Sequence, residues 1–309
     1  MKNTEQLTEE IEYLISEKKY AQAEIQLNSL LTLHPNSIEI MNVIATIQYQ
    51  RGKYFDLLRT LMAIKKINPA DNQSTEMLQM LTERDQEMQN NHKIVVEKHY
   101  VSGVSKDGIR CIAKREELPA LLNELHLTES GLEVGVQAGI FSEQILNQWN
   151  GKKLYLVDIW RQQADYADVA NVDNDKQLEL FLAVCKKFFY DNRVTVIRED
   201  SVAAANHFRD EFFDFVYLDA DHSYEGVVND IEAWYPKLKK GGVLAGHDYL
   251  FGEVLPEGHD TLKGADISIY FGVQSAVDEF VIKNNLELFV TDDMGTKPNN
   301  SPTWYVIKK

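Results

Sequence analysis

Four acidic and imidazole side chains follow two apolar runs in the second half of the sequence. Asp219 and His222 come after one run, and His247 and Asp248 come after the next. An acid at the end of a wholly apolar strand is costly to bury without a partner, so Asp219 is expected to face an open site. An imidazole titrates near neutral pH and can take a proton from a hydroxyl group. These four residues are therefore predicted to be catalytic.

A pair of glycines indicates a ligand-binding turn upstream of these residues. Gly135 and Gly139 follow an apolar strand that carries Glu133, and Ser142 lies in the helical pattern that comes next. The spacing E-x-G-x-x-x-G-x-x-S differs from the G-x-G-x-x-G of dinucleotide-binding turns, whose close glycines admit a pyrophosphate. A looser turn with an acid at the strand end favours a cationic ligand over a diphosphate.

Two other predicted strands also end in polar residues. Asp158 lies about 20 residues beyond the glycine turn, where doubly wound folds hydrogen-bond a ribose diol. The following strand ends in Asp200 and Ser201, which are good N-caps for the next helix.

Apolar runs alternate with helical patterns from residue 115 onward, which predicts a doubly wound, Rossmann-like α/β domain. Residues 286–290 and 304–307 are expected to form two closing strands. In a parallel sheet the ends of neighbouring strands face one crevice, so Asp219, His247 and Asp248 are predicted to converge. Two polar stretches, 161–176 with Tyr166 and Asp168, and the loop 250–263, are predicted to border this crevice.

The first 90 residues show an internal repeat. Lys19-Tyr20 leads to His34-Pro35, and 34 residues later Lys53-Tyr54 leads to Asn68-Pro69. This period is diagnostic of tetratricopeptide (TPR) helix pairs. Because about three such units are needed for a stable array, the two repeats are predicted to lean on a partner surface or on the downstream domain. A docking platform for a protein, a dimer interface and a structural cap are all compatible with the pattern.

The motifs from residue 115 to the C-terminus resemble class I S-adenosylmethionine (SAM)-dependent methyltransferases, particularly those that act on small molecules and sugars. The resemblance implies a seven-stranded sheet whose last strand inserts antiparallel, preceded here by the all-α TPR-like domain. It also implies methyl transfer, with an acceptor that is a hydroxyl oxygen of a small molecule or glycan. The residues that it assigns to SAM are Glu133, Gly135, Gly139, Ser142, Asp158, Asp200, Ser201 and Asp219. Glu133 and Gly135 would hold the amino-acid end, Asp158 the ribose, and Asp200 with Ser201 the adenine edge.

Metal-dependent O-methyltransferases related to this class bind a divalent ion with acids after the fourth and fifth strands. The matching positions here are Asp219, His247 and Asp248, so one oxygen ligand is replaced by nitrogen. Magnesium prefers oxygen ligands, which weakens the case for that ion. Without a metal, His247 or His222 is the expected general base.

Composition narrows the other possibilities. A net charge of −16 over 309 residues, with no basic patch, argues against nucleic acid and anionic membranes as partners. Cys111 and Cys185 suggest neither a disulfide framework nor a zinc site, and no signal peptide or membrane span is evident, so a cytoplasmic location is expected.

The predicted division is a helical domain at 1–90, a linker at 91–114 with a strand-like run Ile94–Val96, and the methyltransferase domain at 115–309. A non-catalytic protein-binding module, a protein methyltransferase recruited by the repeats and a nicotinamide-dependent oxidoreductase are the alternatives.

Overall fold

The structure is a computed structural model, and it describes residues 4–163, 170–250, 272–291 and 301–309. The chain divides into two compact units. The first contains Met1–Met88, and the second contains Gln89–His259 and Phe271–Lys309. Each unit is described separately below. The predicted domain boundaries stay a prediction.

The first unit is built from helices throughout its described residues. The helices are α1 (Thr4–Ser16), α2 (Tyr20–Leu33), α3 (Ile38–Arg51), α4 (Tyr54–Ile67) and the first part of α5 (Asn72–Lys98). Ser37 caps α3 by accepting a hydrogen bond from the Ile40 amide. Gly52 ends α3 with φ of 71°, a left-handed conformation that favours glycine. The predicted all-α region is confirmed, whereas its assignment as a TPR array stays a prediction.

Helix α5 corrects one prediction from the sequence. The run Ile94–Val96, interpreted as strand-like, lies within this helix. Val95 is completely buried in the apolar core beside the sheet of the second unit. Burial of the helix face thus outweighs the modest helix propensity of β-branched residues.

The second unit contains one seven-stranded sheet flanked by helices. A short 3-10 helix (Arg115–Glu117) precedes α6 (Leu118–Glu124). The strands are β1 (Ser130–Val134), β2 (Lys153–Asp158), β3 (Val194–Arg198), β4 (Phe213–Leu218), β5 (Leu238–Gly246), β6 (Phe289–Val290) and β7 (Trp304–Ile307). The remaining helices are α7 (Ile140–Gln148), α8 (Asn174–Phe188), α9 (Ser201–Ala205), α10 (Tyr224–Trp234) and α11 (Val273–Asn284).

The strand order is β3-β2-β1-β4-β5-β7-β6. Strands β1 to β5 run parallel, and β7 inserts antiparallel between β5 and β6. The predicted doubly wound, Rossmann-like sheet with an antiparallel final strand is therefore confirmed. Apolar cores lie in two clusters, one containing Leu132 and Trp234 and the other containing Phe141 and Trp149.

The register aligns the strand ends that carry the predicted site residues. Val134 of β1 pairs with Leu218 of β4, and Leu218 pairs with Gly246 of β5. The residues that follow them, Gly135, Asp219 and His247, therefore emerge at one level of the sheet. Tyr166, Asp168 and the loop 251–263, predicted to border the crevice, lie outside the described residues. Among the described helices, none is both long enough and apolar enough to cross a membrane.

Candidate active site at the carboxyl ends of the strands

The glycine turn after β1 is fixed by close backbone approach. Gly135 has φ of +85°, and a Cβ atom built on it would lie 1.9 Å from the carbonyl oxygen of Asp219. Gly139 has φ of +67° and is the N-cap residue just before α7. Both positions favour glycine for its access to positive φ, and at Gly135 no larger residue fits.

Glu133 and Ser142 bond to each other behind this turn. Glu133 is only 2% exposed, and the Ser142 hydroxyl donates to its Oε2 at 2.5 Å. Burial raises the pKa of Glu133 to about 8, although the bond from Ser142 opposes that shift. The Glu133 carboxyl is therefore largely protonated at neutral pH. The predicted contacts of Glu133, Gly139 and Ser142 with SAM stay predictions.

Asp158, at the end of β2, is held mainly by backbone amides. Its Oδ2 accepts from the amides of Val136 and Gln137 at 2.9 and 2.8 Å, and its Oδ1 accepts from the Trp160 amide at 2.7 Å. Burial raises the pKa of this carboxyl, while the amide bonds lower it. Two carboxylate oxygens can accept about four hydrogen bonds, so Oδ1 retains capacity for a ribose hydroxyl.

Asp200 and Ser201 have well-defined local partners. The Asp200 side chain accepts from the Ala203 amide at 3.1 Å and so caps α9, as the sequence indicates. The Ser201 hydroxyl donates to Asp230 and accepts from the indole N–H of Trp234 at 2.9 Å. The hydroxyl of Ser201 is therefore committed to α10, and the contact with adenine predicted for it stays untested.

A cavity of about 200 Å³ opens where these strand ends meet. Its walls include carboxylates from four elements, namely Asp158, Asp200, Asp219, Asp221 and Asp230. Arg161 is the one cationic side chain among its described lining residues. Carboxylates in a partly enclosed cleft attract a positively charged ligand, so the cavity suits the sulfonium and ammonium groups of SAM.

Asp230 is a lining residue that sequence reasoning missed. It is 5% exposed, and burial raises its pKa to about 7 while the bond from Ser201 opposes that shift. Asp230 lies on α10 rather than at a strand end, so strand-end reasoning could not find it. The helical pattern around Ile231 and Trp234 places it on the inner face of that helix, which was a usable signal.

The four residues predicted to be catalytic form one cluster beside this cavity. His247 Nδ1 lies 3.1 Å from Asp248 Oδ2 and 3.8 Å from Asp219 Oδ1. His222 Nε2 lies 3.2 Å from Asp248 Oδ2 and 3.5 Å from Asp219 Oδ1. Two imidazoles thus face two carboxylates, which confirms that these strand ends converge.

The charge state of Asp248 follows from these neighbours. Burial alone would raise the pKa of this carboxyl, but the bond from His247 and the charges of His247 and His222 lower it well below its ordinary value. Asp248 also has φ of 54°, an uncommon left-handed backbone for a non-glycine residue. The carboxylate is therefore ionised at neutral pH and aimed at both imidazoles.

Arg115 is a second site residue that sequence reasoning missed. Its Nη1 lies 3.3 Å from Asp219 Oδ2, and its guanidinium is 4.5 Å from the centre of the Phe141 ring. Burial opposes the charge of Arg115, yet interactions with Tyr217 and Asp219 raise its pKa. The 3-10 helix carries Arg115 to the sheet, and nothing in the local pattern of residues 115–127 singles it out.

Three adjacent donors could also hold a cation. Asp219, His247 and Asp248 each offer a ligand atom, and these atoms all lie within 4.8 Å of one another. Asp219 Oδ2 faces Arg115, so Oδ1 is the oxygen directed towards the imidazoles. The predicted metal trio is thus close in space, while ion binding itself stays a prediction.

A comparison with known protein families finds one match, which lies within the second unit. Residues 132–249 match the profile of a family described as a methyltransferase domain. This stretch contains the glycine turn, Asp158 and the whole Asp219–Asp248 cluster. The described sheet and this match confirm the resemblance to class I methyltransferases, the class that uses SAM as methyl donor. No curated protein sequence matches the chain.

Several solved structures are similar to part of this chain at low sequence identity. A putative caffeoyl-CoA O-methyltransferase from Staphylococcus aureus is 13% identical, with a TM-score of 0.44, over 75% of this chain and 99% of that one. A Corynebacterium glutamicum protein is 17% identical, with a TM-score of 0.41, over 64% and 83% of the two chains. Spermidine synthase from Thermotoga maritima is 16% identical, with a TM-score of 0.38, over 63% and 60%.

Proposed function

We propose that the second unit transfers the methyl group of SAM to a hydroxyl oxygen of a small molecule or glycan. The observation that carries this proposal is the imidazole–carboxylate cluster of His247 and Asp248, 3.1 Å apart, beside the acidic cavity. Methyl transfer from a sulfonium to a hydroxyl requires a bound cation and a group that accepts one proton. The acidic cavity supports the first requirement, and the neighbouring imidazole–carboxylate cluster supports the second.

His247 is the proposed proton acceptor. Its Nδ1 donates to Asp248, which leaves Nε2 to accept a proton. The acceptor oxygen attacks the methyl carbon as the carbon–sulfur bond breaks, and sulfur keeps the bonding electron pair. The hydroxyl proton passes to His247, and Asp248 stabilises the imidazolium that forms. Alignment of the oxygen with the methyl group supplies most of the rate enhancement.

Binding of a divalent ion is a second role that fits the donor atoms of this cluster. One imidazole and two carboxylates suit an ion that accepts nitrogen, such as zinc or manganese, better than magnesium. When bound, the ion would act as a Lewis acid that lowers the pKa of an acceptor hydroxyl.

Binding of SAM is tested by a matched pair of cap variants. Asp200→Ser keeps an N-cap on α9 but removes a carboxylate from the cavity, whereas Asp173→Ser makes the same change at the cap of α8, outside the lining residues. A hydrogen bond to a charged group contributes about 1.5–3 kcal/mol, so Asp200→Ser should weaken SAM binding about tenfold or more. Calorimetry should show wild-type affinity in Asp173→Ser. Absence of SAM binding by the wild-type protein would refute the proposed function.

The role of the cluster is tested with His247→Ala and Asp248→Asn, and with His207→Ala as control. His207 lies outside the cluster, paired with Glu199 at 2.7 Å. If His247 is the base, its loss should lower the rate about 10²–10⁴-fold without changing SAM affinity. The wild-type rate should be unaffected by EDTA. The assay follows radiolabelled methyl transfer to a panel of catechols and hexoses.

A bound ion gives a different result in the same assay. EDTA should then abolish transfer, and zinc or manganese should restore it. Calorimetric titration with each metal tests this without an acceptor, since His247→Ala should lose the binding seen in the wild type. Full activity of His247→Ala and Asp248→Asn under every condition would remove the cluster from the mechanism.

A further inference from the structure

Helix α8 carries an apolar stripe that the sheet does not use. Val184 and Phe188 face inward and pack in the core beside β2. A second stripe, about 100° around the helix, contains Leu178, Leu182, Cys185 and Phe189. Leu182 is 56% exposed and Phe189, just after the helix, is 75% exposed. The stripe is therefore presented to solvent.

The spacing of this stripe is that of a helix–helix seam. Its members are separated by four, three and four residues, which is the alternation of a and d positions in a heptad. Tyr190, 91% exposed, adds an aromatic ring beside Phe189, with 4.9 Å between ring centres. A continuous exposed apolar stripe of this kind is typical of an interaction surface.

We propose that this stripe binds α8 of a second copy of the chain in an antiparallel, two-fold pair. A pairing centred between residues 183 and 184 places Leu178 opposite Phe189 and Leu182 opposite Cys185. Each contact then occurs twice, as two-fold symmetry requires. In such a seam, four apolar side chains from each copy are removed from contact with water.

The charges of α8 favour a second copy as the partner. The chain has a net charge of −16, but the segment 173–187, which includes the N-cap Asp173, carries three acids and three lysines, so this segment is electrically neutral. Two copies can therefore approach along this face with less repulsion than elsewhere. The acids, including Glu179, lie in the first half of the helix, whereas Lys186 and Lys187 lie in the second half. An antiparallel pair brings the acidic end of one helix against the basic end of the other.

One cross-helix ion pair follows from the seam. Glu179 and Lys186 both occupy the e position of this heptad, and e positions face each other in an antiparallel pair. Lys187 is bonded to Glu143 at 3.1 Å, whereas Lys186 forms no ion pair with a described residue. Glu179 contacts Lys176 at 2.9 Å, an exposed pair that contributes little and can rearrange.

The proposal is tested by the mass of the full chain in solution. Sedimentation equilibrium should give twice the chain mass for the wild type and the monomer mass for Leu182→Glu. Val104→Glu is the matched control, because Val104 is 61% exposed in the same unit but lies off α8, and it should stay dimeric. Circular dichroism and thermal melting check that each variant folds. A monomeric wild type, or a dimer unaffected by Leu182→Glu, would overturn the proposal.

Charge reversal and crosslinking test the antiparallel register. Glu179→Lys and Lys186→Glu should each weaken the dimer about tenfold or less, and the double variant should recover wild-type affinity. Leu182→Cys should form a disulfide with Cys185 of the second copy under oxidation, whereas Ala183→Cys, on another face of α8, should not. A dimer that ignores both charge reversals and crosslinks equally through either cysteine would contradict this pairing. These measurements do not depend on methyl transfer, so their failure would leave the proposed function intact.

Discussion

Glu133 shows how burial can set the protonation of a site residue. The pKa of its carboxyl rises to about 8 from an ordinary value of 4.5, because the side chain is buried. Below pH 4.5 the Glu133 carboxyl is protonated in both the folded and the unfolded chain, and its contribution to the free energy of unfolding is fully present. Between pH 4.5 and about 8 only the folded chain holds it, so the free energy of unfolding falls as pH rises.

Glu133→Gln should flatten this pH dependence. Glutamine keeps the volume and an acceptor for Ser142 but cannot ionise, so the loss of stability between pH 5 and 8 should shrink relative to wild type. Denaturant unfolding at several pH values measures the difference between the two slopes. Glu129→Gln is the control, because that carboxylate is exposed beside Lys152 and should leave the slope unchanged. Parallel slopes for wild type and Glu133→Gln would contradict the buried, protonated carboxyl.

The types of residue at the candidate site could be predicted from the sequence, whereas their hydrogen-bond partners could not. Strand-end acids such as Asp158 and Asp219 stand out because they follow apolar runs. That Asp158 accepts three backbone amides depends on the dihedral angles of the glycine turn and of Trp160, whose φ is 38°. No spacing rule encodes those angles. Arg115 was missed because no local pattern singles it out, whereas Asp230 was missed because it lies on α10 and not at a strand end.

At the scale of elements, a buried network joins β5, α11 and the C-terminal part of α5. Tyr249 follows the β5 strand end, and its hydroxyl donates to Asp278 of α11. Asp278 also bonds His92 Nδ1 at 2.9 Å, and burial raises the pKa of this carboxyl while those bonds lower it. The network therefore anchors the residue next to Asp248, whose backbone is in the left-handed region.

Tyr249→Phe should destabilise the protein by about 1–3 kcal/mol, because it leaves one buried Asp278 oxygen without its hydroxyl donor. Chemical denaturation measures this change. Tyr13→Phe is the matched control, since that side chain is 56% exposed and the change should cost nothing measurable. Equal stability of Tyr249→Phe and wild type would show that the Tyr249–Asp278 bond contributes little.

Element prediction succeeded where periodicity and burial agree. The predicted strands ending at Asp158 and beginning at Trp304 match β2 and β7, because short apolar runs between polar residues specify central strands. It failed at Ile94–Val96, where three β-branched residues continue a helix. Their conformation is decided by the core against which Val95 packs, and the local sequence does not describe that core.

For the whole molecule, the sequence predicted two kinds of architecture joined in one chain, and the structure contains both. The 34-residue repeat matches the starts of α2 at Tyr20 and α4 at Tyr54. What the helical unit binds stays a prediction, because a repeat period specifies helix pairing and not the chemistry of a partner. In the same way, strand and helix periods predict the elements of the second unit but not the chemistry of a methyl acceptor.

The carboxylates around the cavity also have a consequence for product release. Methyl transfer converts a positively charged sulfonium into a neutral thioether, so the spent cofactor has one positive charge fewer than the one that entered. Under the proposed function, the carboxylates that line the cavity lose their attraction for the sulfur centre at that step. An acidic pocket of this kind therefore favours exchange of used for fresh methyl donor, and the reaction itself removes the interaction that would otherwise retard turnover.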